Sequence, residues 1–143
     1  MLFQRVTTFF AAAIVLFASF ATSADNEKHR VVYHVSEEAQ VEFTLRNIAN
    51  HINGVGGPEN AEIVMVVIGP GMHGFSNAKA SAFTKDMIPK LLKLGVEFDA
   101  CGNTMKKLNY KLADLLPGFI ERPEGGVVRV AALQMKGFSY LRP

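Results

Sequence analysis

The run Ile63-Val64-Met65-Val66-Val67-Ile68 constrains this chain more than any other segment. Every residue in it is apolar and all but Met65 are β-branched, which favours extended backbone. No polar side is left for water, so such a strand must be covered on both faces. Within a chain of 143 residues, a parallel sheet held between helices meets that demand.

The surrounding pattern agrees. Arg30-Val31-Val32-Tyr33-His34-Val35 reads as a first strand, followed by Ser36-Glu37-Glu38 as a helix opening with a capping residue and early acids. Val41, Leu45, Ile48 and Ile52 then recur at helical spacing, and Asn53-Gly54-Val55-Gly56-Gly57-Pro58 ends that helix. A second helix is predicted over residues 76–94, kinked or split by Pro89 and stopped by Gly95. Val96-Glu97-Phe98-Asp99-Ala100-Cys101 reads as the third strand, with a short helix opening at Gly102-Asn103-Thr104. After the turn at Leu116-Pro117-Gly118, Phe119-Ile120-Glu121-Arg122 is a fourth strand, residues 125–136 a helix, and Phe138-Ser139-Tyr140-Leu141 a fifth strand. The expected fold is a three-layer α/β/α sandwich with a five-stranded, mostly parallel sheet. Neither a repeat nor a linker divides it.

Composition narrows the function classes. Hydrophobic residues at 49% with charged residues at 20% exclude a disordered chain. The balance of 15 Lys+Arg against 13 Asp+Glu excludes a polybasic nucleic-acid surface. Residues 1–24 read as a signal peptide: Arg5 supplies the positive start, Phe9 through Ala18 the short apolar stretch, and Thr22-Ser23-Ala24 the small residues of a cleavage site. Ala18 and Ala21 frame an earlier cut, and an uncleaved anchor is the alternative. Residues 25–143 would then form a single domain, periplasmic or secreted, with no membrane association after cleavage.

Export gives Cys101 its weight, because it is the single cysteine. In an oxidising compartment an unpaired thiol is buried and inert, joined to another chain, or reactive. Cys101 falls at the C-terminal end of a strand and directly before a helix, the rim where open α/β sheets present ligands and reactive groups. There the first helical amides favour a thiolate, with Gly102, Asn103 and Thr104 nearest and Lys106 and Lys107 one turn on. His34 and His73 fall on the same rim and are the candidate bases, although no motif ties either to the thiol. His-x-x-x-His and Cys-x-x-Cys spacings are absent from the sequence, and no metal or cofactor is expected. Gly69, Gly71 and Gly74 match G-x-G-x-x-G, but they follow the second strand and enclose Pro70, which argues for a tight turn rather than a dinucleotide loop.

The segments Gly95-Val96-Glu97-Phe98-Asp99-Ala100-Cys101-Gly102-Asn103-Thr104-Met105, Asp114-Leu115-Leu116-Pro117-Gly118 and Gln134-Met135-Lys136-Gly137-Phe138-Ser139-Tyr140-Leu141-Arg142-Pro143 resemble the DsrE/DsrF-like sulfur-relay family. The likeness is to its exported, single-domain branch and extends over residues 31–143. It implies a DsrEFH-like fold and homo-oligomers, trimeric or hexameric. It also implies a carrier role for a cysteine at the position of Cys101, which would hold sulfane sulfur as a persulfide between a donor and an acceptor. Asn103 matches the same motif. Such a protein is sulfurtransferase-like without being a turnover enzyme in the usual sense. The alternative is a non-catalytic module of the same fold that binds a small anion or a metal, or serves in assembly.

Overall fold

The computed structural model describes residues 27–143. The signal peptide expected at 1–24, with its cleavage sites, lies outside them. Five strands, β1 (His29–Val35), β2 (Ala61–Val67), β3 (Glu97–Cys101), β4 (Phe119–Arg122) and β5 (Ser139–Leu141), form one sheet in the order β4-β3-β2-β1-β5. All four pairings are parallel. Four α-helices connect or flank them: α1 (Val41–Gly54), α2 (Ala82–Lys93), α3 (Gly102–Leu108) and α4 (Gly126–Met135).

β2 sits at the centre, and its residues Ile63 through Val67 are all buried. On one face Val31, Tyr33, Val35, Ile63, Met65, Val67 and Phe98 pack against Leu45, Ile48 and Ile52 of α1 and Ile88 and Leu91 of α2. On the other, Val32, Val64 and Val66 meet Leu133 of α4 and Phe138. The two sets alternate along each strand, as the pleat requires. That gives the three layers, with α4 the helix of the thinner side.

Local differences from the pattern have physical causes. The first helix opens later than Ser36, through a 3-10 turn at Glu38–Gln40 in which Glu37 and Gln40 form a reciprocal cap. The stretch before α2 is spent on a 3-10 segment, Gly69–Phe75, and a turn, so the helix begins at Ala82 with Ser81 accepting the Thr84 N–H. Pro89 lies inside α2 without splitting it. It is exposed, so the carbonyl it leaves without a donor stands on the solvent side, where water substitutes.

The glycines of the G-x-G-x-x-G match serve packing. Gly71 donates its N–H to the Ser36 carbonyl at 2.9 Å. A Cβ at Gly74 would come within 2.8 Å of Val41. With these roles the segment forms a packed 3-10 turn and not a phosphate-binding loop.

The β4 edge of the sheet is fastened by aromatic contacts. The Phe119 ring of β4 lies 5.5 Å from Phe98 and 5.2 Å from Phe75, and Phe75 and Phe98 are fully buried. Phe98→Ala should therefore cost about 3–5 kcal/mol, read as a lower urea midpoint. A cost under about 1 kcal/mol would show that β4 is held by something else.

Candidate functional site

Cys101 ends β3 and serves as the N-cap residue of α3, in extended conformation. Its partner across the sheet is Arg122, the last residue of β4. Beyond Arg122 the chain turns through Pro123 and Glu124, the Gly125 N–H closing on the Arg122 carbonyl at 3.0 Å, and α4 begins at Gly126. The sulfur therefore lies where β3, α3 and α4 meet.

Two glycines permit this convergence. A Cβ at Gly126 would stand 2.5 Å from Ile68 Cγ1 and 3.1 Å from Cys101 Cβ, so any side chain there would push α4 off the thiol. A Cβ at Gly102 would meet the Arg122 carbonyl oxygen at 2.8 Å.

Burial alone pushes the Cys101 thiol up, since a thiolate is the costlier form to bury. The opposing hydrogen bonds outweigh it and leave the thiol below its ordinary value of 9.0. The donors are the Thr104 hydroxyl and the backbone N–H groups of Gly126, Thr104 and Asn103. The Gly69 N–H donates to Thr104 Oγ1 at 2.9 Å. That bond occupies the oxygen as acceptor and leaves the hydroxyl proton for the sulfur.

Although Cys101 is 4% exposed, it lines an open cavity of about 240 Å³. Ile68, Val127 and Val128 form the apolar wall, and Asn103, Thr104, Lys107 and Glu124 supply polar groups. Of the residues expected around the thiol, Asn103 and Thr104 line this cavity, and Gly102 is buried behind it. Asn103 contributes its backbone N–H, while its side chain packs at Gly125. Lys107 reaches the rim; Lys106 does not line it.

The histidines are placed elsewhere. His73 Nδ1 is hydrogen-bonded to Tyr110 at 2.7 Å and does not line the cavity. His34 Nδ1 is hydrogen-bonded to Tyr140 at 2.7 Å. His34 borders a neighbouring cavity of about 250 Å³ that shares Ile68 and Val127 with the first. Burial, with Arg142 adding to it, holds His34 below its ordinary 6.5, which favours the uncharged imidazole.

Beneath the thiol lies a group of residues the sequence pattern did not single out together. Asp99, two residues before Cys101 on the same face of β3, is fully buried. It accepts from Arg122 Nε and Arg129 Nε, each at 2.7 Å. Glu97 Oε1 accepts from the Nη2 atoms of both arginines. Burial pushes the Asp99 carboxyl above its ordinary range, against hydrogen bonds from Arg129 and Arg122. The available signal was an acid at alternate positions of an otherwise apolar strand, which demands a buried cation. Its partners come from β4 and α4, too far along the chain for spacing to identify. Among the described residues no group of three or more His, Cys, Asp or Glu side chains is placed to hold a metal ion.

No family model and no curated protein matches the chain. Solved structures do. MTH1491, a protein of unknown function from Methanobacterium thermoautotrophicum, aligns at 27% identity with a TM-score of 0.71, over 81% of this chain and all of its own. The YchN protein of E. coli aligns at 17% identity with a TM-score of 0.59, over 82% of this chain and 99% of its own. The chain thus shares its fold with MTH1491 and YchN.

The lowered thiol carries a stability consequence. A native pKa below the unfolded value means that the ionised form favours the fold. The contribution is complete above about pH 9 and is lost as pH falls through the native pKa. Wild type should gain stability relative to Cys101→Ala as pH rises through that window, in parallel urea titrations. A constant difference would refute the lowered pKa. Thr104→Val, which removes the hydroxyl donor, should slow iodoacetamide alkylation at neutral pH about tenfold. An unchanged rate would leave the hydroxyl without a role at the sulfur.

Proposed function

We propose that this protein is a sulfur carrier that holds sulfane sulfur as a persulfide on Cys101, within the sulfur-relay branch of the DsrE-like fold. One observation carries the reading: the single cysteine ends β3 at the first turn of α3 and lines an open cavity, where the Thr104 hydroxyl and the amides of Gly126, Thr104 and Asn103 hold its thiol below the ordinary value against burial. An inert core thiol needs no such donors. Thiolate, not thiol, is the form that attacks sulfur.

In the loading step the Cys101 thiolate attacks the outer sulfur of a sulfane donor. With thiosulfate, the new bond joins Cys101 Sγ to the sulfane sulfur, the old sulfur–sulfur bond breaks, and sulfite leaves with its electron pair. The persulfide left on Cys101 carries the negative charge. In unloading, an acceptor thiolate attacks the outer sulfur, the Cys101 bond breaks, and the Cys101 thiolate is regenerated. The same amides that stabilise the starting thiolate stabilise it as leaving group. No separate base is needed at neutral pH if the thiol is already ionised, which is consistent with His34 and His73 lying outside the cavity.

The carrier would work as a homo-oligomer, trimeric or hexameric, in the periplasm or outside the cell once residues 1–24 are removed. Support for self-association comes from α4, where Val127 and Val128 beside the thiol's cavity are 73% and 56% exposed and Met135 at the far end of the helix is 90% exposed. A disulfide between copies fits less well, because a cysteine 4% exposed at the wall of a cavity of about 240 Å³ is reached more readily by a small sulfur compound than by the cysteine of a second folded chain, equally buried.

Mass spectrometry of the protein after thiosulfate or polysulfide treatment tests the reading. Wild type should gain the mass of one sulfur, removable by a small thiol and absent in Cys101→Ser. A gain that persists in Cys101→Ser would eliminate the carrier role. Binding of the anion without any covalent gain would favour a non-catalytic binding module.

A further inference from the structure

We propose that Arg129 is the positioning residue of this site: by bridging Asp99 and Glu97 it pins the first turn of α4 to β3 and keeps Gly126 packed against Cys101. The inference rests on Cys101 being the working thiol, but it concerns the thiol's ionisation and not the sulfur it carries.

Few other side chains hold this end of α4. Its buried residues are Gly126 and Leu133, almost two turns apart. Leu133 anchors the far end among Val32, Val64, Val66 and Phe138. At the near end Gly126 has no side chain to bury, Val127 and Val128 face outward, and the N-cap Gly125 provides no side-chain cap. Arg129, three residues after Gly126, projects from the same side of the helix. Its Nε reaches Asp99 Oδ2 at 2.7 Å and its Nη2 reaches Glu97 Oε1. Asp99 in turn sits on the face of β3 that carries Cys101. The chain of fixed geometry runs from the strand through a two-toothed bridge to the helix, and back through Gly126 to Cys101.

Arg122 bonds the other oxygen of Asp99 and shares Glu97 Oε1 with Arg129, but β4 is already fixed by its ladder to β3. Loss of Arg129 is what frees α4. The charged groups about the thiol are Glu97 and Asp99 from β3, Arg122 from β4, Arg129 from α4, and Lys107 and Glu124 at the cavity rim.

Coulomb effects and positioning make opposite or separable predictions. Asp99→Asn removes a negative charge near the sulfur, which on charge alone would lower the thiol pKa further. If Asp99 acts by holding Arg129, the pKa rises instead. Arg129→Lys keeps the positive charge but cannot span both carboxylates, so charge alone predicts no change and positioning predicts a rise.

The experiment is the pH profile of iodoacetamide alkylation on the folded variants, with no sulfur donor present. The expected result is a midpoint displaced upward in both, with about tenfold slower alkylation at neutral pH, the value of one hydrogen bond to an anion. An Arg129→Lys profile superimposed on wild type, or an Asp99→Asn midpoint below it, overturns the proposal. Should the variants fail to fold, nuclear magnetic resonance of wild type decides. The Gly126 amide and the Arg129 Nε–H should both shift with the midpoint of the Cys101 titration, and an Arg129 signal indifferent to it overturns the coupling. Absence of persulfide formation in the separate mass measurement would remove the carrier reading and leave this one standing.

Discussion

A buried sulfur can be ionised only if the protein replaces the water it has lost, and the rest of this site follows from that requirement. Backbone amides do this at low cost because they are fixed by the secondary structure that bears them. Ending β3 at Cys101 delivers the Asn103 and Thr104 amides from α3, and docking α4 at the same point adds Gly126. Each donor imposes a steric demand. Gly126 must lack a side chain to approach Ile68 and the cysteine, and Gly102 must lack one to pass the end of β4. The Thr104 hydroxyl completes the set, because the Gly69 N–H occupies its oxygen as acceptor and its proton is left to donate.

The fold is the means of holding that arrangement open on one side. One face of the sheet is sealed by α1 and α2, while α4 alone stands over the opposite face near the thiol. The cavity is the gap between α4 and α3, walled by Ile68, Val127 and Val128. That wall is largely apolar, whereas Lys107 and Glu124 at the rim leave no single sign of charge dominant. Likeness to MTH1491 and YchN in backbone places this arrangement on a known scaffold. The chemistry has to be argued from the residues.

Much of the architecture was legible because the local signals agreed. The apolar run of β2, the helical spacing of α1 and the glycine stops mark elements that the structure contains in that order. Between β2 and α2 the glycines were legible as a turn, but the late start of α2 at Ala82 was not, since the segment is held by contacts with Ser36 and Val41, residues distant in sequence. Cys101 could be placed at a strand end from pattern alone, and so could its nearest amides. What pattern could not supply was Gly126, because nothing local distinguishes a glycine packed against a distant cysteine from one that starts a helix. The bridge of Asp99 and Glu97 to Arg122 and Arg129 was hidden for the same reason. Its acids announce a need for partners, and the topology alone says which ones.

The central claim is that Cys101 is ionised in the native state where an ordinary thiol is not. Difference ultraviolet absorbance of the thiolate, wild type minus Cys101→Ser, followed across pH, measures that directly. The account predicts a single titration with its midpoint below the ordinary 9.0 and its loss on unfolding in denaturant, where the midpoint returns to the ordinary value. A native midpoint at or above 9.0 would contradict it.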